Sequence, residues 1–185
     1  MKVIDAVLSV YTGFRFGWGC VAAILCFVLY MVYAVKVKKK SGFSITGKVY
    51  LKGIVFSAYM VALLGGTLLN RTTGIDDRIK LVPFWSYWDT FVLHDETLWQ
   101  QMLFNVVGFI PWGFLFPILF DNMRKMRKNV FGAVLMSLCI ELMQLVFRFG
   151  LFEFDDVFHN TLGALIGYAI WKVICKKSMV GKTDK

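Results

Sequence analysis

Charge is scarce along most of this chain, and histidine, proline and paired cysteines are scarcer still. Charged residues make up 18% of the 185 residues, against about 25% in a typical soluble domain. Apolar residues reach 58%. That balance excludes disorder, a collagen-like repeat and a small disulfide scaffold, and it argues against an ordinary soluble enzyme. The two histidines, His94 and His159, show no HExxH or similar spacing, so no metal set follows from them, although each neighbours carboxylates. Cys20, Cys26, Cys139 and Cys175 lie in or at the ends of apolar runs without a CxxC pair, and they read as small buried apolar residues. No internal repeat is visible, which leaves an inverted-repeat transporter without support. No small-residue cleavage site follows the short apolar stretch at the N-terminus, so residues 1–15 read as an interfacial helix leading into the first span.

What the chain does have is long uncharged runs and an excess of base. A membrane-crossing helix needs about 20 mostly apolar residues. Residues 16–35, 53–70 and 97–120 contain no charge; 129–147 is broken only by Glu141, and 157–175 only by Lys172, which can snorkel to the interface. Five spans are therefore expected. The net charge of +9 is distributed unevenly among the segments between them. Lys36, Lys38, Lys39, Lys40, Lys48 and Lys52 follow the first run, Arg124, Lys125, Arg127 and Lys128 follow the third, and Lys172, Lys176, Lys177, Lys182 and Lys185 close the chain. Cationic loops stay cytoplasmic, which places the N-terminus outside and the C-terminus inside, as five spans require. The same distribution excludes nucleic-acid binding, because the bases flank spans instead of forming one patch.

The expected fold is thus an all-α integral membrane protein, a bundle of about five transmembrane helices. Residues 1–68 would hold the interfacial segment and two spans, 69–175 a core of three, and 176–185 a basic cytoplasmic tail, all in one membrane domain. The outer segment between the second and third spans carries Phe84, Trp85, Tyr87, Trp88 and Phe91 just after Pro83. Aromatics gather at the membrane–water interface, and Pro suits the first turn of a helix, so a helix lying on the outer surface is expected there. It reads first as an aromatic anchor and second as a binding platform. The other outer segment, 148–160, is short and acidic, with Glu153, Asp155, Asp156, His159 and Asn160; its two aspartates are expected on a solvated loop. Both outer segments lie on one side and can meet over the bundle.

A few polar residues stand where they are costly. Ser137, Glu141, Gln144 and Arg148 share one stripe of the fourth span. An ionisable group in a membrane costs at least about 2.5–3.5 kcal/mol and is normally turned inward and paired. Glu141 and Arg148 are two turns apart, about 10 Å along the axis, so partners from other spans are expected. The third span offers Asn105, with Pro111 and Pro117, which free backbone carbonyls. The fifth offers Asn160 with Gly163 and Gly167, a GxxxG pair that allows close helix approach. Interhelical hydrogen bonding is the plain explanation for Asn105, Gln144 and Asn160; for Glu141 and Arg148 a functional role has the edge.

Taken in order, these pieces form one pattern. Lys80-Leu-Val-Pro-Phe84 precedes Asn105-Val-Val-Gly-Phe-Ile-Pro-Trp-Gly113. Then come Glu141-Leu-Met-Gln144, Arg148, and Asp155-Asp156 leading to Asn160-Thr-Leu-Gly163 and Gly167-Tyr168. This order and spacing, over about residues 69–171, resembles the VanZ-like family of bacterial membrane proteins. Leu81-Val82 stands where Asn-Leu-Ile is usual, and His159 precedes Asn160. The family is linked to reduced susceptibility to teicoplanin and related lipoglycopeptides. The resemblance implies a multi-pass protein of the bacterial plasma membrane with no cofactor and no metal. Its partners would be membrane lipids, a lipid-linked wall precursor or a lipoglycopeptide. Arg78, Asn105, Glu141, Gln144, Arg148, Asp155, Asp156 and Asn160 are expected to converge near the outer leaflet as a mixed-charge pocket suited to a polar headgroup, such as a phosphate bound by Arg148. A non-enzymatic protein that binds or shields such a headgroup is the first reading. The alternative is an intramembrane enzyme on a lipid-linked substrate, with Asp155, Asp156 or Glu141 as general base and Arg148 stabilising negative charge.

Overall fold

Five helices long and apolar enough to cross a membrane account for most of the chain in a computed structural model, which describes residues 19–37, 46–69, 79–92, 96–147 and 151–180. Helix α1 is Gly19–Val37 and α2 is Gly47–Leu64, the latter extended by a wider helical turn, Gly65–Leu69. A short helix, α3, spans Trp85–Val92. The remaining long helices are α4, Glu96–Leu119; α5, Met126–Phe147; and α6, Phe154–Val180. The chain divides into two compact units, Met1–Asn70 and Arg71–Lys185. The interfacial segment expected over residues 1–15 lies outside the described residues.

In the first unit α1 and α2 meet at Gly53, where the rings of Phe27 and Tyr30 lie over the missing side chain. Tyr30 also packs on Phe56 with ring centroids 5.8 Å apart. Ser57 and Thr67 return their hydroxyls to the carbonyls of Gly53 and Leu63 one turn back, the usual way such groups are satisfied in an apolar helix.

The second unit is built on the seam between α4 and α6. Lipid offers helices no hydrophobic drive toward one another, so close packing of small residues has to hold them. Gly163 lies against the Val106 carbonyl and Gly167 against the Ile110 carbonyl, while Gly113 of α4 lies against the Ala164 carbonyl in return. A Cβ at any of the three would strike backbone. The register rises together on both helices, so α4 and α6 run parallel, with α5 returning between them in sequence. Pro111 and Pro117 sit inside one continuous α4. Beyond the seam, Trp112 stacks on Phe116 at 3.6 Å and donates its indole N–H to the Asn129 carbonyl of α5. At the same end the Tyr168 hydroxyl donates to the Arg124 carbonyl, fixing the turn between α4 and α5 onto α6.

Two strands of two residues each complete the unit. β1, Ile79–Lys80, pairs in parallel with β2, Phe152–Glu153, in the register Ile79 to Phe152 and Lys80 to Glu153. The two connecting segments expected to share a side therefore meet.

Candidate functional site

The end of the second unit that carries β1, β2 and α3 gathers most of its buried polar side chains. Two of them correct the sequence reading. Asp155 and Asp156 were read as pocket residues on a loop ahead of a last span starting at residue 157; instead α6 begins at Phe154, and both aspartates occupy its first turn with 3% exposure or less. Carboxylates suit a helix N-terminus electrostatically, which accounts for the earlier start.

The Asp155 carboxylate reaches a second helix terminus as well. Its Oδ1 accepts the Phe84 N–H at 2.6 Å, and its Oδ2 accepts the Ser86 N–H at 3.1 Å and the Ser86 hydroxyl at 2.5 Å. The first amides of any helix lack intrahelical acceptors, so Asp155 supplies the cap of α3 from across the fold. Pro83 stands in the turn just ahead of the helix. Phe84 takes a left-handed backbone conformation, with φ of 62°, that a bulky residue adopts only when its surroundings compel it. Its amide bond to Asp155 and an edge-on contact of its ring with Phe158 at 5.4 Å hold it there. With three donors on its carboxylate, Asp155 positions α3 and is poorly placed to act as a base.

The clamp fixes the neighbours. The Tyr87 hydroxyl and His159 Nε2 lie 2.8 Å apart, hydrogen-bonded. Burial, and then the Asp155 charge, raise the Tyr87 phenol above its ordinary pKa of about 10. Lys80 places its ammonium 3.3 Å from the centre of the Trp85 ring, a cation–π contact. The opposite side of α3 is bare: Trp88, Phe91 and Val92 are exposed and spaced as one helical stripe.

Below lies the buried face of α5. Ser137, Glu141 and Gln144 are all at most 1% exposed, on the stripe their spacing indicates. Glu141 accepts the Glu153 N–H of β2 at 2.9 Å, so one of its partners is backbone from the segment leading into α6. Gln101 of α4 donates to the Glu153 carboxylate at 3.3 Å. Ser137 accepts the Asn160 amide of α6 at 2.8 Å, an interhelical bond of the plain kind. Asn105 of α4 is half-buried, and its amide nitrogen is sealed from solvent without a hydrogen-bond partner. Val106, the next residue, meets Gly163, so Asn105 lies about half a helical turn deeper than Asn160 along the seam.

Of the eight expected pocket residues, Glu141, Gln144, Asp155, Asp156 and Asn160 are thus buried on α5 and α6, and Asn105 lies on the adjoining α4. Arg78 and Arg148 lie outside the described residues, as does His94. Ser86, Tyr87, Gln101 and Glu153 join the cluster although the sequence marked none of them as site residues. The only hint was Pro83, which announces a helix start needing a cap. Among the described residues no three of His, Cys, Asp and Glu are grouped as a metal site.

Comparison with known proteins identifies the family. The family model described as VanZ/LLP1 matches residues 21–175. Protein VanZ of Enterococcus faecium is 32% identical over 146 residues, which cover 75% of this chain and 84% of that protein. No solved structure matches the chain. A match that runs from α1 through α6, and so takes in the glycine seam, the Glu141–Gln144 face and the Asp155 clamp, settles the family: the chain is a multi-pass membrane protein that belongs to the VanZ/LLP1 family.

Proposed function

We propose that this protein works at the outer leaflet of the bacterial plasma membrane as a non-enzymatic envelope protein. In this reading it binds or shields the polar headgroup of a lipid or lipid-linked wall precursor and so lowers susceptibility to teicoplanin and similar lipoglycopeptides. The observation that carries the reading is the clamped α3. Asp155 holds a short aromatic helix rigidly over a buried polar cluster, with Trp88 and Phe91 turned outward. The positive-inside pattern assigns that end to the outside. Flat aromatic faces beside Lys80 suit a ligand with an apolar stem and a polar, anionic or sugar-bearing head. The engagement of Asp155 by three donors favours binding over acid–base chemistry. Arg78 directly precedes β1 and Arg148 directly follows α5 in sequence, and in this proposal they supply the cations for a phosphate.

The test is resistance. A susceptible bacterium expressing the protein should tolerate more teicoplanin than the same strain with an empty vector. Trp88→Ala with Phe91→Ala should return it to baseline while the protein still inserts, since the two side chains are 67% and 66% exposed. Full resistance in that double variant would refute the platform. Turnover of a labelled lipid-linked substrate by the purified protein, abolished in Asp156→Asn, would replace binding with catalysis.

A further inference from the structure

The opposite end of the second unit carries a feature with no part in that reading. The turn between α4 and α5, with a short helical turn at Asp121–Arg124, is tied down on three sides. The Arg124 carbonyl accepts the Tyr168 hydroxyl at 2.7 Å, its Nε donates to the Pro117 carbonyl at 3.4 Å, and its guanidinium pairs with Asp121 at 2.9 Å. Arg124 is thereby spent on structure. Lys125, Arg127 and Lys128 follow it, all exposed, and among the described residues none has a carboxylate at ion-pair distance. Exposed to water, the three cations repel one another only weakly, and together they present an attractive potential to an anion. Directly beyond them, one side of α5 is bare and apolar: Phe131, Leu135, Cys139, Leu142 and Val146 follow Arg127 at helical spacing and are all exposed. A cationic head joined to an apolar strip along one helix matches a molecule with an anionic head and a long hydrocarbon tail.

We propose that the α4–α5 turn and this side of α5 form a binding site for an anionic phospholipid. Lys125, Arg127 and Lys128 hold the phosphate, Arg124 positions the turn, and Phe131 and Leu135 lie along the acyl chain. Basic clusters between helices recognise lipid headgroups in this way, and Arg contributes paired donors that Lys lacks. The site lies on the side that the charge pattern assigns to the cytoplasm, so it is separate from the α3 platform.

The experiment is native mass spectrometry of the full chain in detergent, titrated in parallel with phosphatidylglycerol and phosphatidylcholine. Wild type should retain phosphatidylglycerol preferentially. Lys125→Gln, Arg127→Gln and Lys128→Gln together should cut that preference by at least about tenfold, because each cation near an anionic headgroup adds to the attraction. Lys125→Arg with Lys128→Arg should keep it, which separates loss of charge from loss of fold. Equal retention of both lipids by wild type, or an unchanged preference in the Gln variant, would overturn the site. So would efficient oxidative cross-linking through Cys139 in a variant lacking Cys20, Cys26 and Cys175, because a second copy would then occupy the strip.

Discussion

Replacing Asp155 with asparagine removes a charge and almost no volume, and the geometry says what should follow. The carboxylate accepts three donors, from the Phe84 amide, the Ser86 amide and the Ser86 hydroxyl. An asparagine can keep one acceptor toward Phe84, but its amide nitrogen then faces the two Ser86 donors. A hydrogen bond to a charged group contributes about 1.5–3 kcal/mol net, and a buried donor left without an acceptor costs about 1–3 kcal/mol. Because the three bonds share one carboxylate they do not add fully, and a loss of about 3 kcal/mol in the local stability of α3 is a fair expectation. The left-handed Phe84 backbone would relax at the same time. Hydrogen–deuterium exchange of the full chain in micelles reads this directly. The amides of residues 87–92 should exchange on the order of 100-fold faster in Asp155→Asn, since each 1.4 kcal/mol is about a factor of ten. Ser86→Ala removes one bond of the three, so its effect should be nearer tenfold. Amides of α2 should not change in either variant. Unaltered exchange across α3 in Asp155→Asn would show that the clamp contributes nothing and would refute the reasoning.

Other consequences are as direct. Gly167→Ala pushes a methyl into the Ile110 carbonyl, and overpacking of this kind costs about 1–3 kcal/mol; the unfolding midpoint in a denaturing-detergent titration should fall, and Gly167→Leu should abolish the fold. Ser137→Ala strands the Asn160 amide of α6, so the same titration should show a loss of about 1–2 kcal/mol, whereas Ser137→Thr should largely preserve stability. Trp112→Phe keeps the stack on Phe116 and loses the bond to the Asn129 carbonyl, for a loss near 1 kcal/mol; Trp112→Leu should cost several times more. The Tyr87 phenol is raised in the folded protein, so its contribution to stability is complete below its unfolded pKa of about 10 and is lost as pH climbs through the higher folded value; alkaline titration of stability should therefore flatten in Tyr87→Phe.

The spans were legible because their signals are long and redundant: uncharged runs of membrane length separated by basic clusters leave few alternatives. The stripe of Ser137, Glu141 and Gln144 was legible from spacing alone, and the Gly163–Gly167 pair proved to be half of a seam whose other half is Gly113. The placement of Asp155 and Asp156 was not. A DD pair beside an acidic loop looks solvated in sequence, and only the arrival of α3, some seventy positions earlier in the chain, gives Asp155 the donors that justify its burial. Tyr87 was visible as one aromatic among several, and nothing local distinguishes the one that reaches His159. Parallel pairing of β1 with β2 was equally hidden, because two residues are too few to show a period of two. Long-range polar contacts of this kind depend on tertiary register, which periodicity does not encode.

The protein purified in mild detergent should carry its ligand with it, and mass spectrometry of the lipids it retains puts the headgroup-binding claim to the hardest test. A lipid or lipid-linked molecule with a phosphate- or sugar-bearing head, other than the phosphatidylglycerol held at the α4–α5 turn, should be enriched on the wild-type protein and lost from Trp88→Ala with Phe91→Ala. It should persist in Lys125→Gln, Arg127→Gln and Lys128→Gln, which alters only the opposite end. Identical lipid profiles for wild type and the Trp88 and Phe91 variant would contradict the claim that the clamped α3 forms a binding platform.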